Sequence, residues 1–92
     1  MAENEQSETS SALAQALESD LLRQYGPMLT GDALRQALGY PSSDALRQAI
    51  ARKTVPVPVF AIKNRRGKFA LVKDVAQWLA DQRNSVAGKT IE

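Results

Sequence analysis

The sequence contains no cysteine and no histidine. The first absence excludes a disulfide framework, a thiolate nucleophile and a cysteine-bound metal, and it suits a reducing cytosol. The second removes the commonest general base and the commonest metal ligand together. The expectation is therefore no enzyme, no metal and no cofactor. Long apolar runs are missing as well, since nothing approaches the roughly 18 residues of a membrane span. The opening stretch MAENEQSETSS is acidic and polar, whereas a secretory leader is basic and then apolar. These absences point to a soluble, cytoplasmic protein. With 92 residues, the chain has room for one small core and no second domain.

What is present is ordinary in amount and uneven in placement. Apolar residues make up 43% and charged residues 24%, close to globular averages, so the chain should fold. The net charge is only +2. Yet Glu3, Glu5, Glu8, Glu18 and Asp20 all precede the first basic residue, Arg23. Between Arg47 and Lys73 lie Arg52, Lys53, Lys63, Arg65, Arg66 and Lys68, with no acid in the whole stretch. That is the pattern of a surface facing phosphates, and a merely solvated face has the same composition.

Residues 1–9 are polar, acidic and without periodicity, which predicts a disordered tail. Over residues 10–26, Leu13, Leu17 and Leu21 recur four apart and Gly26-Pro27 supplies a stop, which predicts an N-terminal helix. Its leucine stripe is available to pack on the rest of the chain or to make a symmetric dimer with a second copy.

A near-repeat follows. Thr30-Gly31-Asp32-Ala33-Leu34-Arg35-Gln36-Ala37-Leu38 is echoed by Ser42-Ser43-Asp44-Ala45-Leu46-Arg47-Gln48-Ala49-Ile50. In each copy a hydroxyl residue stands where it can accept from first-turn amides, and an aspartate stands at the positive end of the helix dipole. Apolar residues at i, i+3 and i+4 then predict two short amphipathic helices. Gly39-Tyr40-Pro41 reads as the turn between them. The Val55-Pro56-Val57-Pro58 stretch must be extended. Residues 59–63 and 68–72 read as strands of a hairpin whose tip is Asn64-Arg65-Arg66-Gly67. Val75, Trp78 and Leu79 mark a last helix from residue 73 or 74 to Arg83. Residues 84–92 read as a flexible tail.

The predicted fold class is mainly α with a small β-hairpin: a winged helix-turn-helix over residues 28–83, preceded by an N-terminal helix. In that plan the second helix of the pair enters the major groove and the hairpin reaches neighbouring phosphates or the minor groove. With Leu46, Ala49 and Ile50 turned inward, Ser43, Asp44, Arg47, Gln48, Ala51 and Arg52 face outward. Arginine bonds guanine bidentately and glutamine bonds adenine, so Arg47 and Gln48 are the first candidates for base readout. Ser43 is a groove or phosphate contact at the helix start. Asp44 sits close to the groove as a helix-opening acid or an acceptor from cytosine. Arg52 and Lys53, with Lys63, Arg65, Arg66 and Lys68 on the hairpin, are candidates for the backbone contacts that position without reading sequence. The bland reading of the hairpin cations is protection of an exposed edge.

Other features carry less. Trp78 lies on an apolar stripe and reads as core. Phe60 and Phe69 read as hairpin packing more than as base-stacking groups. Gly88-Lys89-Thr90 lacks the strand and first glycine of a phosphate loop. Asp32 and Asp44 are better explained by their helix-opening positions than as an acid pair.

From Leu29-Thr30 through Leu38-Gly39, Leu46 to Ile50, Val55-Pro56, and Val75 with Trp78-Leu79, the chain resembles the winged helix-turn-helix of excisionase, AlpA and MerR-type regulators. Its Val55-Pro56-Val57-Pro58-Val59 stretch resembles the pyocin activator family of bacterial prophage regulators. The resemblance implies a nucleoid-associated transcription regulator that carries Ser43, Arg47 and Gln48 into the major groove and sets Arg65, Arg66 and Lys68 on DNA backbone. Lys53 departs from the pattern, where relatives often close the helix with glycine. Two other functions stay open: an excisionase-like architectural factor that bends DNA, and a protein-interaction adaptor without DNA binding.

Overall fold

The computed structural model describes the backbone of residues 2–87 and the side chains of residues 11–85. Among the described residues, four helices and two short strands follow one another as α1 (Ala2–Tyr25), β1 (Met28–Thr30), α2 (Gly31–Leu38), α3 (Ser43–Arg52), β2 (Phe69–Leu71) and α4 (Val72–Ala87). Among the described residues no helix is long and apolar enough to cross a membrane.

Helix α1 makes the most extensive contact of any element pair, lying along α4. Ala14 is buried there, and Leu13, Leu17 and Leu21 are half-buried, with Leu21 packed on the core. Of the leucine stripe, Leu21 is packed on the core, and Leu13 and Leu17 keep part of their surface exposed. Among the described residues, the large apolar side chains left exposed are Leu22, Tyr25 and Leu71. The helix also begins earlier than its periodicity suggests. Residues 2–9, read as a disordered tail, are helical in backbone, and the reason is compositional: alanine, glutamate and glutamine are good helix formers, and acids suit a helix N-terminus. The chain leaves α1 at Gly26, whose φ of 83° follows the left-handed stop favoured by glycine.

Both copies of the near-repeat are helices, and they end alike. Gly39 N–H donates to Gln36 O and Tyr40 N–H to Arg35 O, while Lys53 N–H donates to Ile50 O and Thr54 N–H to Ala49 O. Each closing residue is left-handed, Gly39 at φ 84° and Lys53 at φ 59°, so both ends are Schellman motifs. A lysine in that conformation carries a steric cost that glycine does not. Lys53→Gly is therefore expected to stabilise the fold by about 1 kcal/mol, raising the melting temperature by roughly 4–8 °C for a domain of this size. Thermal unfolding followed by circular dichroism checks this.

The expected hairpin is corrected by the structure. Phe69, Ala70 and Leu71 pair antiparallel with Thr30, Leu29 and Met28, and the residue 59–63 segment keeps only a bridge from Phe60 to Phe69. Three physical reasons combine. Pro56 and Pro58 lack donors. Valines 55, 57 and 59 face inward along the extended run while both prolines stay exposed. Finally, a turn closed by Arg65 N–H on Ile62 O uses Asn64 at φ 65°, and this spends the residues that a long ladder needs. Val72 opens α4 instead of ending a strand, its N–H donating to Pro27 O at 2.8 Å. Helix α4 then runs past Arg83 to Ala87, so residues 84–87 are helical and not tail. Residues 88–92, with Gly88-Lys89-Thr90, lie outside the described residues.

The core gathers Leu29, Leu34, Leu38, Leu46, Val57, Ala70, Val72 and Val75, with Trp78 and Leu79 packed against it. Every element from β1 to α4 contributes a residue, so one cluster fixes the relative placement of α2, α3, the sheet and α4. Phe60 and Phe69 are half-buried and stacked, ring centroids 6.4 Å apart, in line with their reading as packing residues.

Candidate nucleic-acid interface

Helix α3 starts with Ser42 as cap, its Oγ accepting from Ala45 N–H at 3.1 Å. Leu46 and Ala49 are buried and Ile50 is half-buried, which fixes the rotation of the helix. Ser43, Asp44, Arg47, Gln48, Arg52 and Lys53 are all exposed as a result.

The first copy of the repeat uses its hydroxyl differently. Thr30 has the same extended backbone as Ser42 but makes no cap hydrogen bond. Instead Thr30 Oγ1 donates to the carbonyl of Lys68 at 2.7 Å. Sequence reasoning made Thr30 a cap; the structure makes it a tie between the start of α2 and the base of the 61–68 loop. Gly67, at φ 84°, lies beside the same side chain, where a Cβ would stand in ordinary contact with Thr30 Oγ1 at 3.7 Å. The loop is thereby held against α2.

A half-open cavity of about 570 Å³ lies between α2, α3 and the loop. Ser43 and Arg47 line it from α3, and Arg66, Gly67 and Lys68 line it from the loop. These four candidates, Ser43, Arg47, Arg66 and Lys68, therefore share one face. Gln48, Arg52, Lys53, Lys63 and Arg65 are exposed and do not line the cavity.

The charges divide into paired and unpaired groups. Arg47 makes an ion pair with Asp44, one turn earlier, both side chains about three-quarters exposed (74% and 73%). An exposed pair of this kind contributes about 0–1 kcal/mol and leaves the guanidinium available to a better partner. Asp44 is thereby engaged on the helix surface. Arg35, at the matching position of the first copy, is only 20% exposed. It bonds Asp32 at 3.2 Å and the Tyr40 carbonyl at 3.0 Å, so it serves the α2–α3 turn. Arg52, Lys53, Lys63, Arg65, Arg66 and Lys68 have no acidic partner among the described residues. Thr30, Gly31 and Arg35 join the site although they were absent from the candidates. Only the equivalence of Thr30 with Ser42 and of Arg35 with Arg47 in the repeat could have pointed to them.

Neither a family model, nor a curated protein, nor a solved structure matches this chain.

Proposed function

We propose that the chain is a sequence-specific double-stranded DNA-binding regulator of transcription, built as a winged helix-turn-helix without catalytic activity. In this reading α3 enters the major groove with Ser43, Arg47 and Gln48 toward base edges. The 61–68 loop acts as the wing, setting Arg65, Arg66 and Lys68 on phosphates, with Arg52, Lys53 and Lys63 adding backbone contacts. The observation that carries the proposal is the shared lining of one half-open face by Arg47, Arg66 and Lys68. A helix projecting a guanidinium beside a cationic loop grips one duplex through both grooves or through groove and backbone. A homodimer through the part of Leu13, Leu17 and Leu21 that stays exposed belongs to the same proposal, and the mass of the chain in solution tests it.

Titration of duplex fragments over a salt series tests this. Affinity should fall with salt by roughly 0.9 log units per log unit for each phosphate neutralised. Arg65→Ala should weaken all sequences alike and reduce that slope by about one. Absence of any retardation at low salt would transfer the protein to the adaptor class. Selection from a random duplex library then identifies the preferred site.

A further inference from the structure

We propose that the cavity between α2, α3 and the 61–68 loop is a binding site for a small amphipathic anion, an aryl or alkyl carboxylate in class, whose occupation excludes DNA. Only the exclusion of DNA rests on the reading above; the binding itself does not.

Two features of the lining select this chemistry. Half-buried Ile50 and the edge of Leu46 give the lining an apolar floor over the fully buried Leu34, and Arg35, Arg47, Arg66 and Lys68 stand around it. Asp32, the only acid of the lining among the described residues, is already bonded by Arg35. Arg66 and Lys68 have no acidic partner among the described residues. The cavity is therefore cationic at its rim and apolar within. A volume of about 570 Å³ falls in the middle of the range of small-molecule sites, roughly 300–1,000 Å³. A bare inorganic anion would satisfy the rim but leave the floor wetted, and a neutral hydrocarbon would do the reverse. A carboxylate on an apolar body satisfies both: the guanidinium groups bond its oxygens in a charge-assisted way, and the body removes apolar surface from water. Because Arg47 and Arg66 are also groups proposed to hold the duplex, ligand and DNA compete for the same atoms.

Backbone amide NMR of the full chain, titrated with naphthoate, naphthylmethanol and inorganic phosphate as probes, tests the site directly. Naphthoate is expected to bind saturably, with a dissociation constant at or below about 1 mM for a ligand of that size. Its shifts should be confined to residues 30–35, 43–50 and 66–68. Arg66→Gln, an exposed change, should weaken it by about tenfold. Arg65→Gln, outside the lining, should leave naphthoate binding unchanged while weakening DNA. Added naphthoate should release a bound duplex in the wild type. If phosphate reproduces the naphthoate shifts, the site selects charge alone and the proposal is overturned. Naphthylmethanol binding as well as naphthoate, or shifts lying elsewhere, overturns it too. If naphthoate binds as described but no duplex binds at low salt, the ligand site stands and the DNA reading falls. Duplex binding without naphthoate binding leaves the DNA reading and removes the site.

Discussion

Leu34→Ala is expected to lower the unfolding free energy by about 2–5 kcal/mol, the range for truncating a buried leucine where the neighbours only partly collapse. Leu34 is fully buried and belongs to the single cluster that joins α2 to α3, the sheet and α4. A domain of this size has roughly 5–15 kcal/mol in total, so one substitution removes a large fraction of it. Urea unfolding should show a lower midpoint with an unchanged slope. Leu22→Ala is the control: at 41% exposure, its effect should stay within about 0.5 kcal/mol. Equal losses at the two positions would mean that the cluster does not organise the fold.

Arg47→Ala carries the largest expected effect on function. A bidentate arginine–guanine contact is worth about 1–3 kcal/mol of discrimination. The competing Asp44 pair, exposed on both sides, is worth at most about 1 kcal/mol. The magnitudes favour exchange of Asp44 for a base when the helix docks. The variant should therefore lose preference for a selected site over a scrambled one by that 1–3 kcal/mol while keeping most of its non-specific binding. Competition titrations at fixed salt measure the ratio. Uniform weakening of both duplexes would make Arg47 a phosphate contact and leave base reading to Gln48 and Ser43.

Local physics made much of this fold legible. The capped starts, apolar spacings and closing turns of α2 and α3 are short-range features, and the structure places both helices within a residue of where the sequence puts them. The exposed side of α3 follows from Leu46 and Ala49 by geometry alone. What stayed hidden depends on distant partners. Strand β1 is three residues long and exists because Met28–Thr30 finds Phe69–Leu71 some 40 positions away. That pairing also dissolved the expected hairpin, since Phe69 to Leu71 were read as partners of the preceding run and not of β1. Thr30 shows the same limit at a single residue. Its sequence context matches that of Ser42, yet its hydroxyl bonds Lys68, a contact that no local pattern encodes. Of the twelve described residues that line the cavity, four were legible beforehand: Ser43, Arg47, Arg66 and Lys68.

One face of the molecule carries both Ser43 and Arg47 of α3 and Arg66 and Lys68 of the cationic loop. Backbone amide shifts during titration with duplex DNA at low salt test this most directly. Residues 43–53 and 63–68 should move together and saturate at the same ratio, while α1 and α4 stay still. Shifts confined to α1 and α4, or no shifts at any ratio, would contradict it.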